Sequence, residues 1–122
     1  MNTIKSYRDL LIWQKGIEIV TDIYSITNEF PREEIYALTA QMRRAAISIP
    51  SNIAEGYGRN SQKEMAKFLN YSLGSLFEVN TQIEIALNLK FIQKEHHEKL
   101  LKKSFELEKM INSLVSKIRI NR

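Results

Sequence analysis

The stretch QMRRAAISIPSNIAEGYGR, from Gln41 to Arg59, constrains the fold more than any other part of the chain. Small side chains recur in it at close spacing: Ala45, Ala46, Ser48, Ser51, Ala54 and Gly56. No charge falls between Arg44 and Glu55. A helix faced with alanine, serine and glycine lets a neighbouring backbone come close, so this segment is expected to be a central contact surface. Pro50 stands inside it, one of only 2 prolines in the chain. Its ring removes a backbone hydrogen bond and crowds the carbonyl of Ala46, which predicts a kink. Ser48, Ser51 and Asn52 are placed to satisfy the freed groups. The rival arrangement is a break into two helices at Ile49. Ile49 and Ile53 keep one face, which favours the kink.

The remainder also has helical rather than alternating apolar period, punctuated by only 4 glycines in 122 residues. Four helices are predicted, at about 7–28, 33–57, 62–88 and 93–118. In the first, Leu10, Trp13, Ile17, Val20 and Tyr24 form one stripe, widened by Ile12, Ile19, Ile23 and Ile26. Gly16 is unfavourable inside a helix and points to a close crossing there. Pro31 ends this helix. Glu33 and Glu34 then fall in the first turn of the second helix, where carboxylates suit the positive end of the dipole. Its stripe is Ile35, Leu38, Met42, Ala45, Ile49 and Ile53, and Gly56 with Gly58 terminates it.

Ser61 with Glu64 three positions later is a capping box opening the third helix. Met65, Phe68, Leu69, Leu73, Leu76, Val79, Ile83, Ala86 and Leu87 form its stripe. Ser72, Gly74 and Ser75 make a second small patch, matching that of the second helix. In the fourth helix Leu100, Leu101, Leu107, Ile111, Leu114 and Ile118 face inward. Lys99, Lys102, Lys103 and Lys109 face outward, and the tail Arg119–Arg122 is expected to fray. Four rods of roughly 30–40 Å joined by short loops pack as an all-α, antiparallel up-down-up-down four-helix bundle. The second helix is kinked at Pro50, and residues 1–122 form a single domain.

Several function classes are disfavoured. There is no cysteine, hence no disulfide framework or zinc-thiolate site. No apolar run approaches the about 18 residues of a membrane span, and the opening MNTIKSYRDL lacks the apolar core of a signal peptide. A cytoplasmic protein without a membrane partner is expected. Phosphate-loop, dinucleotide and HExxH motifs are absent. The 2 histidines, His96 and His97, are neighbours about 100° apart on a helix and cannot share a metal well. Both are expected to be solvated, with no metal and no cofactor. No serine has a base in prospect. Glu55 and Glu78, with Asn52, are the candidate structural polar cluster. An ion pair with Arg43 or Arg44 is favoured over an acid–base or metal role, because buried charges are normally paired. Neither an enzyme nor a small-molecule substrate is expected.

The charge distribution is the functional lead. Residues 1–88 carry 9 Lys/Arg against 10 Asp/Glu, and residues 89–122 carry 9 against 4. The excess of the last quarter suggests a basic face for an anionic partner, with solubility as the plain alternative. Lys99, Lys102, Lys103, Lys109 and Arg119 are its candidate phosphate contacts. Arg43 and Arg44 suit phosphate through their guanidinium forks. Arg59, Lys63 and Lys67, with Arg44 and the nearby Tyr57, form a weaker candidate set that would combine charge with stacking.

The blocks RRAAISIPSNIAEGYGR at Arg43–Arg59, FPREEIYALTAQ at Phe30–Gln41, GSLFE at Gly74–Glu78 and YRDLLIWQK at Tyr7–Lys15 resemble one family. It is the bacterial four-helix-bundle family encoded by intervening sequences in 23S ribosomal RNA genes. The resemblance implies a compact bundle, often oligomeric. A similar bundle is the accessory protein of diversity-generating retroelements, which forms a pentameric ring with a basic surface and binds a reverse transcriptase and nucleic acid. A homo-oligomer, with a pentamer suggested by this resemblance, and an RNA or ribonucleoprotein partner are therefore expected. No catalytic residue carries over. Asn80 stands where the family commonly has a second glutamate, Ser72 replaces a usual alanine, and Lys90 replaces a glycine common at the third-helix end.

Overall fold

A computed structural model describes residues 3–120 of the chain. Four α-helices account for most of it: α1 (Leu11–Thr27), α2 (Leu38–Gly58), α3 (Gln62–Asn88) and α4 (Lys94–Ile120). They pack as a four-helix bundle, with α1 against α2 and α4, and α3 against α2 and α4. Side-chain pairs give the sense of each seam. Gly16 meets Pro50 while Arg43 reaches back to Thr27, so α1 and α2 run in opposite directions. Ser48 with Ser75, and Gly56 with Phe68, set α2 against α3 in the same way. Asn80 with Ser104, and Glu84 with His97, do so for α3 and α4.

The first boundary differs from expectation. Tyr7–Asp9 is a separate 3₁₀ turn, and Leu10 is extended before α1 begins. Ser6 forms the capping box there: its Oγ accepts from Arg8 N–H, while Asp9 Oδ2 accepts from Ser6 N–H. Residues 32–34 likewise form a 3₁₀ turn, so Glu33 and Glu34 precede α2 rather than open it. Glu34 still serves the end of that helix, because its Oε1 accepts from Leu38 N–H at 3.3 Å. Ile35, expected in the α2 stripe, is therefore exposed.

The buried line of α1 is Ile12, Gly16, Ile19, Ile23 and Thr27. Ile17 and Tyr24, placed inward from the sequence, are exposed. Both sets have 3-4 spacing, and Gly16 decides between them. An added Cβ there would lie 3.3 Å from Pro50 Cβ, so the glycine side of α1 is the side pressed onto α2.

The helix α2 passes through Pro50 without interruption. Of the expected helpers, Ser48 and Asn52 are engaged with different carbonyls from the one freed at Ala46, and Ser51 is exposed. Ser48 Oγ donates to Ala45 O at 2.7 Å, and Asn52 Nδ2 donates to Ser48 O at 2.8 Å. From α3, Ser72 Oγ donates to Ile49 O at 2.8 Å, and Ser48 and Ser75 hydroxyls lie 2.6 Å apart. The small-residue seam is thus closed by hydroxyls as well as by contact. Gly56 belongs to this seam rather than to a cap: an added Cβ would lie 2.9 Å from Phe68 Cβ. The left-handed residue after α2 is Asn60, at φ 54°. Gly74 has nothing within 4 Å of such a Cβ and lies outside the seam.

Ser61 Oγ accepts from Glu64 N–H at 3.2 Å and opens α3 where the sequence indicates, making the serine half of the expected capping box. The α3 stripe is buried or half-buried throughout. Its end is a Schellman turn, with Phe91 N–H on Ala86 O and Lys90 N–H on Leu87 O, both 2.9 Å. Lys90 takes the left-handed position, at φ 64°. In α4 the inward residues are as expected, joined by Ser104 and Val115. Arg119 stands in the last turn of α4; Asn121 and Arg122 lie outside the described residues.

Candidate nucleic-acid interface

The proposed basic residues divide into those the fold uses and those it leaves outside. Arg43 is used. Its Nε donates to Thr27 Oγ1 at 2.9 Å, one terminal nitrogen donates to Asn28 Oδ1 at 3.0 Å, and the guanidinium lies 4.4 Å over the Tyr24 ring. It ties α2 to the end of α1, and among the described residues it pairs with no glutamate. Lys103, expected to face outward, is half-buried between α4 and α1. Its Nζ lies 2.6 Å from Asp22 Oδ2 and 3.6 Å from Glu18 Oε1. The hydrogen bond it donates to Asp22 holds the ammonium above the usual lysine range, against a smaller opposing effect of burial. Neither residue is available to an incoming phosphate without breaking these contacts.

The carboxylates do not form a cluster. Glu55 is exposed and pairs with Arg59 at 2.8 Å on the same helix. Glu78 accepts a long bond of 3.4 Å from Gln82 and borders a hollow of about 230 Å³ with Gln41, Arg44, Ala45 and Ser48. Asn52 is turned to Ser48 O. The three expected partners are thus separate, because Glu55 belongs to the exposed side of α2 and Asn52 to its own backbone. The histidines also separate. His96 is exposed, whereas His97 Nε2 lies 2.9 Å from Glu84 Oε1 and ties α4 to α3 rather than being solvated. Among the described residues no three His, Asp or Glu side chains gather as a metal well. No described helix is long and apolar enough to cross a membrane.

Lys99, Lys102, Lys109 and Arg119 are exposed on α4, and none is in an ion pair among the described residues. At about 100° per residue, Lys99, Lys102 and Lys109 fall within a sector of roughly 80°. Lys117, which the sequence reading passed over, is exposed and in register with Lys99, while Arg119 points well away. Glu95 and Glu106 share this sector and Glu98 flanks it, so the stripe is basic but interleaved. Lys99 borders a hollow of about 580 Å³ between α1 and α4, floored by Ile26, Phe91, Ile92 and Leu100.

Arg59 and Lys67 come together at the α2–α3 corner, over the Phe68 ring at 5.0 and 5.9 Å. Lys63 is exposed one turn before Lys67. Arg44 does not join them; it lies at the Glu78 hollow. Tyr57 is half-buried, and the ring that stands free is Tyr71, which the sequence reading missed. The signal was present: Tyr71 falls off the α3 apolar stripe, where an aromatic side chain has no core to enter.

This arrangement is an all-helical bundle built on a small-residue seam, with its free charge on the outside. The chain belongs to the 23S rRNA-intervening sequence protein family, which matches residues 8–113. A similar solved structure is that of a protein of unknown function from the S23 ribosomal protein family of Bacteroides thetaiotaomicron VPI-5482. It shares 22% identity, covers 87% of this chain and 96% of its own, and superposes with a TM-score of 0.80. At that identity it shows a common fold. No curated protein matches the chain.

Proposed function

We propose that this protein is a non-enzymatic bundle that self-associates and presents the outer stripe of α4 to RNA. The observation that carries the reading is the exposed set Lys99, Lys102 and Lys109 on one side of α4, none in an ion pair among the described residues, whereas Arg43 and Lys103 are engaged in holding helices together. Phosphates bound by such a stripe displace counterions, so affinity depends on salt. The interleaved Glu95, Glu98 and Glu106 keep the local potential modest, which favours weak, sequence-independent binding.

Self-association is supported by apolar surface that the monomer leaves uncovered. Trp13, Ile17, Val20, Ile47, Pro50 and Ala54 line a groove of about 280 Å³ between α1 and α2. Phe77 and Phe105 are also about half exposed, at 48% and 51%. This groove favours a second reading, in which the bundle is a structural oligomer or adaptor and its lysines only maintain solubility.

The test is a salt titration of RNA affinity for the wild type and for Lys99→Glu/Lys102→Glu/Lys109→Glu. Losing three contacts lowers the salt slope by about 2. Light scattering of the same samples reads the mass against the 14.3 kDa chain. RNA affinity indifferent to salt, or unchanged in the triple variant, gives the second reading. A monomer by light scattering removes self-association.

A further inference from the structure

Where α2 hands over to α3, the chain carries an aromatic ring that the core does not use. Tyr71 is 49% exposed. Its ring meets Phe68 edge-on, with centroids 5.4 Å apart and planes at 84°. Phe68 is buried, and its Cβ would lie 2.9 Å from a Cβ added at Gly56. Tyr71 is therefore braced by a buried side chain of the α2–α3 seam. The cations stand beside it. Lys67 Nζ lies 6.0 Å from the Tyr71 centroid, and Lys63 is exposed on the preceding turn. Glu55 holds Arg59, so Lys63 and Lys67 are the cations of this corner without an ion pair among the described residues.

The geometry points to a site for single-stranded RNA, with an unpaired base stacked on Tyr71 and the neighbouring phosphates on Lys63 and Lys67. This rests on the RNA reading above and adds what the α4 stripe lacks, a means of telling single strand from duplex. In a duplex each base is already stacked and paired, and a projecting ring gains nothing from it. In a single strand the base face is free, and stacking on an aromatic side chain is favourable for every base. Lys67 sits at the outer limit of a cation–π contact, about 6 Å. Its ammonium thus leaves room on the ring while staying within reach of a phosphate beside the stacked base. No base-edge donor or acceptor is needed, so the site is indifferent to sequence.

The experiment measures fluorescence anisotropy of a labelled oligoadenylate of about 12 nucleotides, alone and in duplex with oligouridylate, on the intact protein. The single strand should bind more tightly. Tyr71→Ala should weaken it by about 5- to 100-fold and leave duplex binding and helicity unchanged. Tyr71→Phe, which keeps the ring, should bind as the wild type does. Lys63→Glu/Lys67→Glu should also weaken the single strand. Equal affinity for both forms, or a Tyr71→Ala protein that binds the single strand normally, overturns the inference. If duplex binding is then still lost on reversing the α4 charges, the inference fails alone and the RNA reading stands. If neither form binds the wild type at low salt, both fall.

Discussion

Replacing Gly56 by alanine is the sharpest test of the seam. In an open helix this exchange gains about 1 kcal/mol, because alanine has the better helix propensity. At Gly56 the added Cβ would lie 2.9 Å from Phe68 Cβ, 3.1 Å from Met65 Sδ and 3.5 Å from Met65 Cα. Ordinary carbon contacts are about 3.5–4.0 Å. The Met65 sulfur ends a flexible chain and can swing away. Phe68 Cβ is fixed to the α3 backbone, so relief requires α3 to move off α2. Overpacking of this kind costs about 1–3 kcal/mol. Set against the propensity gain, Gly56→Ala should destabilise by about 1 kcal/mol. Gly74 is the control: it is helical, with nothing within 4 Å of an added Cβ. Gly74→Ala should keep the full gain and stabilise by about 1 kcal/mol. The gap of about 2 kcal/mol between the variants isolates the contact from propensity. Urea unfolding at matched protein concentration reads it, with unchanged m values required for the midpoints to report stability. A Gly56→Ala protein as stabilised as Gly74→Ala would mean that the backbones do not meet there.

Three further outcomes follow from single residues. Lys90→Gly should raise stability by about 1 kcal/mol in thermal or urea unfolding, since the left-handed φ of 64° strains any residue with a Cβ. Arg43→Lys should cost about 1–2 kcal/mol in the same assay, because a lysine cannot reach Thr27 and Asn28 together while lying flat on Tyr24. The hydrogen bond that Lys103 donates to Asp22 raises its pKa above the usual lysine value, so its tie to α1 is fully present below that ordinary value and is lost as pH rises through the raised one. Lys103→Met should therefore flatten stability against pH on the alkaline side, by under about 1 kcal/mol because the pair is partly solvated.

Much of the fold was legible because helices of this length carry redundant signals. The α3 stripe, the Ser61 cap and the inward face of α4 each follow from spacing or from one capping residue. Where local signals were duplicated, the sequence could not choose. Helix α1 has two 3-4 apolar lines, and only the fit of Gly16 against Pro50 selects the one through Ile12, Ile19 and Ile23. Glycines were misread for a related reason. A glycine near a helix end suggests a cap, but Gly56 is small because Phe68 is near, a fact belonging to another helix. The basic residues show the same limit. Arg43, Lys103 and Lys109 look alike in sequence; the fold commits the first two to α1 and leaves the third outside.

These commitments divide the bundle into two kinds of seam. Between α2 and α3 the contact is made by alanine, glycine and serine, with hydroxyls of Ser48, Ser72 and Ser75 completing it. Between α1 and α4 long side chains make the polar ties, Lys103 with Asp22 and Glu18 and Lys15 with Glu106 at 3.8 Å, and Lys103 and Asp22 also line a hollow of about 580 Å³. Partly exposed ion pairs contribute little each, so this second seam relies mainly on the buried apolar residues beneath them. Both proposed RNA contacts follow that division. Tyr71 stands on the rigid seam, where a stacking ring needs a fixed mount. Of the α4 lysines, Lys99 borders the other seam, and charge acts at a distance without needing a fixed mount. Salt therefore screens the same few ion pairs, Lys103 with Asp22 and Glu18, that help to close the bundle on that side.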